Sequence, residues 1–88
     1  METSPSLVAL GRAVRELRVA RGLNQRELGE RVGHNQRSYI GHVEQGRRNA
    51  TYETLSAIAA ALGVSLSELV ARAEVHERDR STGYRDER

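Results

Sequence analysis

Few side chains in this 88-residue sequence could make or break bonds. Cysteine is absent, which removes thiol nucleophiles, disulfides and cysteine-ligated zinc. The histidines are His34, His42 and His76. His34 and His42 would stand about two helical turns apart, too far for an adjacent-turn metal pair, and no third ligand is evident. Ser65 and Ser67 stand where a helix opens, so capping explains them. A thin domain of this size has little room for a water-excluding cleft, so neither an enzyme nor a cofactor or small-molecule ligand is expected. What remains is arginine. All 14 basic residues are Arg and none is Lys. A planar guanidinium suits phosphate and guanine better than an ammonium does, although an Arg-rich genome gives the same bias. Residues 1–49 hold nine Arg against five Glu, residues 50–71 hold two Glu and no Arg, and residues 72–88 hold five Arg against five acids. The net charge of +2 therefore arises from a basic first half, which fits an anionic partner.

The elements that must carry these residues follow from caps and periodicity. At 38% hydrophobic and 30% charged the chain is ordinary globular material, and it is short enough for one domain. No apolar run approaches the ~18 residues that span a bilayer. The N-terminus has no basic region followed by an apolar stretch, so the expected compartment is the cytoplasm. Ser4 followed by Pro5 is a helix-start signal, and Leu7, Leu10, Val14 and Leu17 recur on one face, predicting helix one over about 6–21. Asn24 and Glu27 have the spacing of a capping box, with Leu23 and Leu28 placed as a hydrophobic staple, and helix two covers about 25–32. Asn35 can cap a third helix over about 36–45, closed by Gly46. Thr51 caps a fourth, with Leu55, Ile58, Ala59 and Leu62 inward and Gly63 as its stop, and Ser65 with Glu68 opens a fifth. From Glu74 the apolar pattern gives out, so the expected division is a folded domain over 1–73 and a charged, flexible tail over 74–88. The alternative is a fifth helix continued through Arg80 by charge pairing. The fold class is all-α, a compact bundle of five short helices.

Helices two and three, joined by a short turn, are the parts of a helix-turn-helix. Gly29 inside helix two would let helix three cross close by, and Gly33 supplies a left-handed turn. With Ile40 and Val43 inward, Arg37, Ser38, Gly41 and His42 face outward. The segments GLNQRELGERVG, SYIGHVEQGRRN and TLSAIAAALGVSLSELV resemble the phage repressor/Cro type of helix-turn-helix domain, the XRE family, over about residues 7–71. That resemblance implies a lambda-repressor-like fold and sequence-specific binding of double-stranded DNA as a homodimer, with helix three in the major groove. It implies phosphate contacts from Asn24, Gln25, Tyr39, Arg47, Arg48 and Asn49. For Tyr39 burial against helix two is the competing reading, and capping alone would account for Asn24. Aligned from Glu44-Gln45-Gly46, Arg37, Ser38 and His42 match the base-reading positions of the resembled family. Arg18 and Glu44 match a partly buried ion pair that joins helix one to helix three.

Two departures matter. Between Gly33 and Gly46 the sequence has one residue more than the usual pattern, so the register of helix three is open by one and Gln36 joins the base-reading candidates. Ala50 stands where the pattern commonly has Pro. Leu66, Leu69 and Val70 offer more apolar surface than a short terminal helix needs, which makes them the expected dimer interface, with Leu66 and Leu69 the first of the set to complete the monomer core instead. The competing function for the same fold is a protein-interaction module, such as an antitoxin or a partner-regulated adaptor. The polar face of Arg37, Ser38 and His42 argues for nucleic acid instead.

Overall fold

The chain turns helical at Ser6, whose Oγ accepts a hydrogen bond from the Ala9 N–H at 3.1 Å. The computed structural model describes residues 5–33 and 38–86, with side chains as far as Arg80. Five α-helices follow in order: α1 (Leu7–Ala20), α2 (Gln25–Arg31), α3 (Tyr39–Glu44), α4 (Tyr52–Ala61) and α5 (Leu66–Asp86). No strand occurs among the described residues, and the fold is all-α. The start of α1 corrects the Ser4–Pro5 expectation. Pro5 precedes the cap, and Ser4 lies outside the described residues.

Local capping explains most boundaries. Asn24 Oδ1 accepts from the Glu27 N–H and Glu27 Oε1 accepts from the Asn24 N–H, both at 2.8 Å, so the first turn of α2 is closed reciprocally. Thr51 Oγ1 accepts from the Thr54 N–H at 3.1 Å. Ser65 and Glu68 form a second reciprocal pair, at 3.0 and 2.7 Å. The exception is α3. Its described part begins at Tyr39, with Ser38 in the capping position and no side-chain cap bond, and the expected cap Asn35 lies outside the described residues.

The end of α3 shows why a glycine stands there. Gly46 has φ +76°, a conformation that a side chain disfavours. In it the Gly46 N–H reaches Val43 O at 3.0 Å and the Arg47 N–H reaches His42 O at 2.9 Å, which satisfies carbonyls that the helix leaves unpaired.

The core is aliphatic. Val14, Leu28, Ile40, Val43, Ile58, Leu62 and Leu69 are essentially fully buried, each contributing roughly 1.5–3 kcal/mol by leaving water. The central helix is α1, which packs on α5 along one side and on α3 along another. Ala9, Ala13 and Glu16 share one face by helical spacing. Ala9 and Ala13 are fully buried, small enough to let α5 approach.

Helix α5 continues past Glu74, the alternative to a flexible tail. It runs through Asp86 without a break, and its second half is anchored to α1. Glu77 Oε1 accepts from both the N–H and the hydroxyl of Ser6, at 3.3 and 2.8 Å, and Arg80 Nη1 donates to Ser6 Oγ at 3.1 Å. Nearer the other end of α1, Glu16 accepts two hydrogen bonds from Arg72, both 2.7 Å, and one from His76 Nε2 at 2.8 Å. Polar contacts thus continue the packing after the apolar pattern has ended.

Candidate nucleic-acid interface

Three helices meet at one carboxylate. Glu44, at the end of α3, accepts from Arg18 Nε at 2.6 Å and from Arg18 Nη2 at 3.0 Å, a two-pronged contact from α1. From the start of α2, Gln25 Nε2 donates to the same Glu44 Oε1 at 3.0 Å. Arg18 spends its remaining Nη1 on Leu23 O at 2.8 Å, in the turn between α1 and α2. The Arg18 side chain is 9% exposed and that of Glu44 3%. The hydrogen bonds that Arg18 donates to Glu44, more than any other factor, keep its guanidinium protonated beyond its ordinary range. The knot ties both helices of the helix-turn-helix to α1.

The described candidate contact residues lie on or beside α2 and α3 and in the loop after α3. Asn24 is exposed, and its capping oxygen is in use while its amide N–H groups are not engaged in the capping bonds. Gln25 is half-buried and has one amide proton committed to Glu44. A Cβ on Gly41 would come 3.3 Å from Gln25 Oε1, so the missing side chain of α3 makes room for Gln25. Ser38 is exposed at the start of α3 and His42 is half-buried further along it. Gln36 and Arg37 lie outside the described residues. Arg47, Arg48 and Asn49 are all exposed in the loop after α3.

Two of the candidate contact residues are buried. Tyr39, expected beside the phosphates, is only 4% exposed and belongs to the core cluster. Its ring lies under Arg48, whose guanidinium carbon stands 5.5 Å from the ring centroid. Leu69, a candidate for both the dimer interface and the monomer core, is fully buried within the monomer. Leu66 is partly buried against the same core. Val70 borders a groove of about 330 Å³ shared with Leu7, Leu10 and Leu55.

Residues that sequence reasoning passed over include Glu16, Arg72, His76 and Glu77, which brace α1 against α5. The Arg72 hydrogen bonds, followed by that of His76, lower the Glu16 pKa to about 2. An ionised Glu16 can only accept, so His76 Nε2–H is the donor. The expected consequence is an acid-sensitive brace. Its stabilisation is present above the ordinary carboxylate value of 4.5 and is lost as pH falls through about 2. Urea unfolding of Glu16→Gln should therefore show a shallower fall in stability below pH 4.5 than the parent chain. Identical pH profiles would remove Glu16 from the account.

Residues 14–69, more than half of the chain, match the family described as Helix-turn-helix. The chain belongs to the XRE-type helix-turn-helix family. Proteins of this family are DNA-binding transcriptional regulators and not enzymes. Over 54 residues the helix-turn-helix chain is 50% identical to the uncharacterized HTH-type transcriptional regulator y4dJ of Sinorhizobium fredii, a match covering 61% of this chain and 69% of that protein. Its structure is similar to that of the clp gene regulator ClgR from Corynebacterium glutamicum, with TM-score 0.85 and 29% identity over 93% of this chain and 87% of ClgR. It is also similar to the restriction-modification controller protein C.AhdI from Aeromonas hydrophila, with TM-score 0.68 and 43% identity over 72% of this chain and 94% of that one. The chain spans about half the length of two phage repressors that it also matches.

Proposed function

We propose that this helix-turn-helix chain regulates transcription by binding a palindromic operator in duplex DNA as a homodimer in the cytoplasm. Helix α3 enters the major groove, with Arg37, Ser38 and His42 as base readers and Gln36 as the neighbour brought in by the longer turn. Asn24 and Gln25 at the start of α2, with Arg47, Arg48 and Asn49 after α3, hold phosphates and set the docking angle. The carrying observation is the Arg18–Glu44–Gln25 knot, because it locks α3 to α2 at the residue expected to touch the backbone. A phosphate on the free amide proton of Gln25 would bear directly on the side chain that holds Glu44. The two copies meet through Val70 and the groove beside it, together with Leu66. ClgR and C.AhdI are described as a gene regulator and a controller protein, which fits this reading.

Selection of random duplexes on the purified protein is the direct test. The expected winners carry two inverted half-sites centred about one helical turn, ~10 base pairs, apart. Absence of any enriched sequence would overturn the reading. Sedimentation on the selected duplex reports the stoichiometry, and one copy per palindrome would remove the homodimer.

Arg48→Ala gives a finer check. Losing one phosphate contact should weaken all duplexes alike and flatten the slope of log affinity against log salt by about one. An unchanged slope would leave Arg48 only its place over the Tyr39 ring.

A further inference from the structure

We propose that Gly11, with Gly46 opposite it, sets the distance between α1 and α3 and thereby how the reading face of α3 is presented to DNA. Both are positioning residues for sequence selection. The inference rests on the proposed role of α3 as the reading helix.

Gly11 is buried in the middle of α1. A Cβ built there would lie 2.5 Å from Val43 O and would also overlap the carbonyl oxygen of Glu44. These obstacles are backbone atoms, so no side chain can swing away to admit a methyl group. They belong to the last turn of α3, which the Gly46 N–H to Val43 O and Arg47 N–H to His42 O bonds hold closed at 3.0 and 2.9 Å. Local yielding is therefore blocked. From the other side, a Cβ on Gly46 would come 2.9 Å from Val8 Cγ2 and 3.0 Å from Val8 Cα. Thus α1 contributes Gly11 where the backbone of α3 arrives, the turn after α3 contributes Gly46 where the backbone of α1 arrives, and the two form a backbone-to-backbone seam.

The seam lies beside the Arg18–Glu44 contact, and the two do different things. The ion pair draws α3 toward α1, and the seam determines where that approach stops. A methyl at Gly11 would push α3 outward by about an ångström before ordinary contact distances return. Hydrogen bonds to base edges tolerate roughly half of that. Contacts to phosphates from flexible arginines in the loop absorb it more easily. The expected signature is a loss of selectivity with general DNA affinity retained.

The sign of the stability effect separates this idea from a bystander glycine. Alanine is favoured over glycine inside a helix, so a glycine that is merely tolerated becomes a more stable protein on Gly11→Ala with DNA selection unchanged. The experiment uses the full chain, the best duplex from the random selection and a scrambled duplex of the same composition. Gly11→Ala is expected to weaken the selected duplex by ~10-fold or more and to leave the scrambled one within ~2-fold. Selected-duplex affinity within ~2-fold of the parent would overturn the proposal.

Should Gly11→Ala fail to fold, Gly46→Ala and Gly22→Ala decide. Both glycines have positive φ, +76° and +73°, but nothing lies within 4 Å of a Cβ at Gly22. Loss of selectivity confined to Gly46→Ala supports the seam, and equal effects in the two overturn it. A parent chain that selects no duplex sinks the reading-helix assignment and the seam's role with it. A parent chain that selects one, with Gly11→Ala selecting it equally well, sinks the seam alone.

Discussion

Arg18→Ala should destabilise the protein by about 3–5 kcal/mol, because it strands the carboxylate of Glu44, whose side chain is 3% exposed. The attraction within the pair is only part of that figure. The larger part is the cost of a buried charge left without its two guanidinium hydrogen bonds, along with a Leu23 carbonyl that loses its donor. A small domain holds roughly 0.05–0.15 kcal/mol of stability per residue, so this loss would consume a large share of the total. Replacing both partners by apolar residues of similar bulk, Arg18→Met with Glu44→Leu, should cost much less, since no charge is then buried alone. Urea unfolding of the single and double variants measures the difference. A single-variant loss below ~1 kcal/mol would mean that the pair is solvated in solution, as exposed pairs are.

Leu69→Ala should cost about 2–5 kcal/mol, since it empties space in a fully buried site where α5 meets the rest of the core. The loss should be the same at low and high protein concentration, because the site lies within one copy. Val70→Ser should behave in the opposite way. Val70 is half-buried at the rim of the groove with Leu7, Leu10 and Leu55, so its replacement should spare the monomer and weaken self-association. Unfolding midpoints over a hundredfold range of concentration separate the two. If the Leu69→Ala penalty itself grew with concentration, Leu69 would have to take part in assembly.

These two residues also show where reading a sequence succeeds and where it stops. Asn24 with Glu27, Thr51, and Ser65 with Glu68 were readable because a cap and its partner lie within three or four residues. Arg18 and Glu44 came from a family pattern, since 26 residues separate them and nothing local points from one to the other. Leu66 and Leu69 read first as core, yet all three residues, Val70 included, stay interface candidates in the sequence, because an apolar stripe is the same whether it faces a core or a second copy. Tyr39 was ambiguous for a related reason, as a phenol suits both a core edge and a phosphate. In the sequence the second half of α5 stands only as the alternative to a flexible tail, because Ser6 and Glu77 are 71 residues apart and only the fold brings them together. A charged segment reads as solvated until its partners are known. Gly11 carried the weakest signal: a glycine inside a helix suggests a local weakness, and the carbonyl oxygens that require it belong to another helix.

The contact between Ser6 and Glu77 has a consequence for how this chain could be rewired. Because Ser6 at the start of α1 bonds both Glu77 and Arg80 of α5, a short flexible bridge from just after Arg80 back to Pro5 could close the helices into a circle. New ends could then be cut at the solvent-facing Gly22 turn, where no atom crowds the missing side chain. All five helices would keep their neighbours in such a permuted protein, while the order in which they leave the ribosome would change.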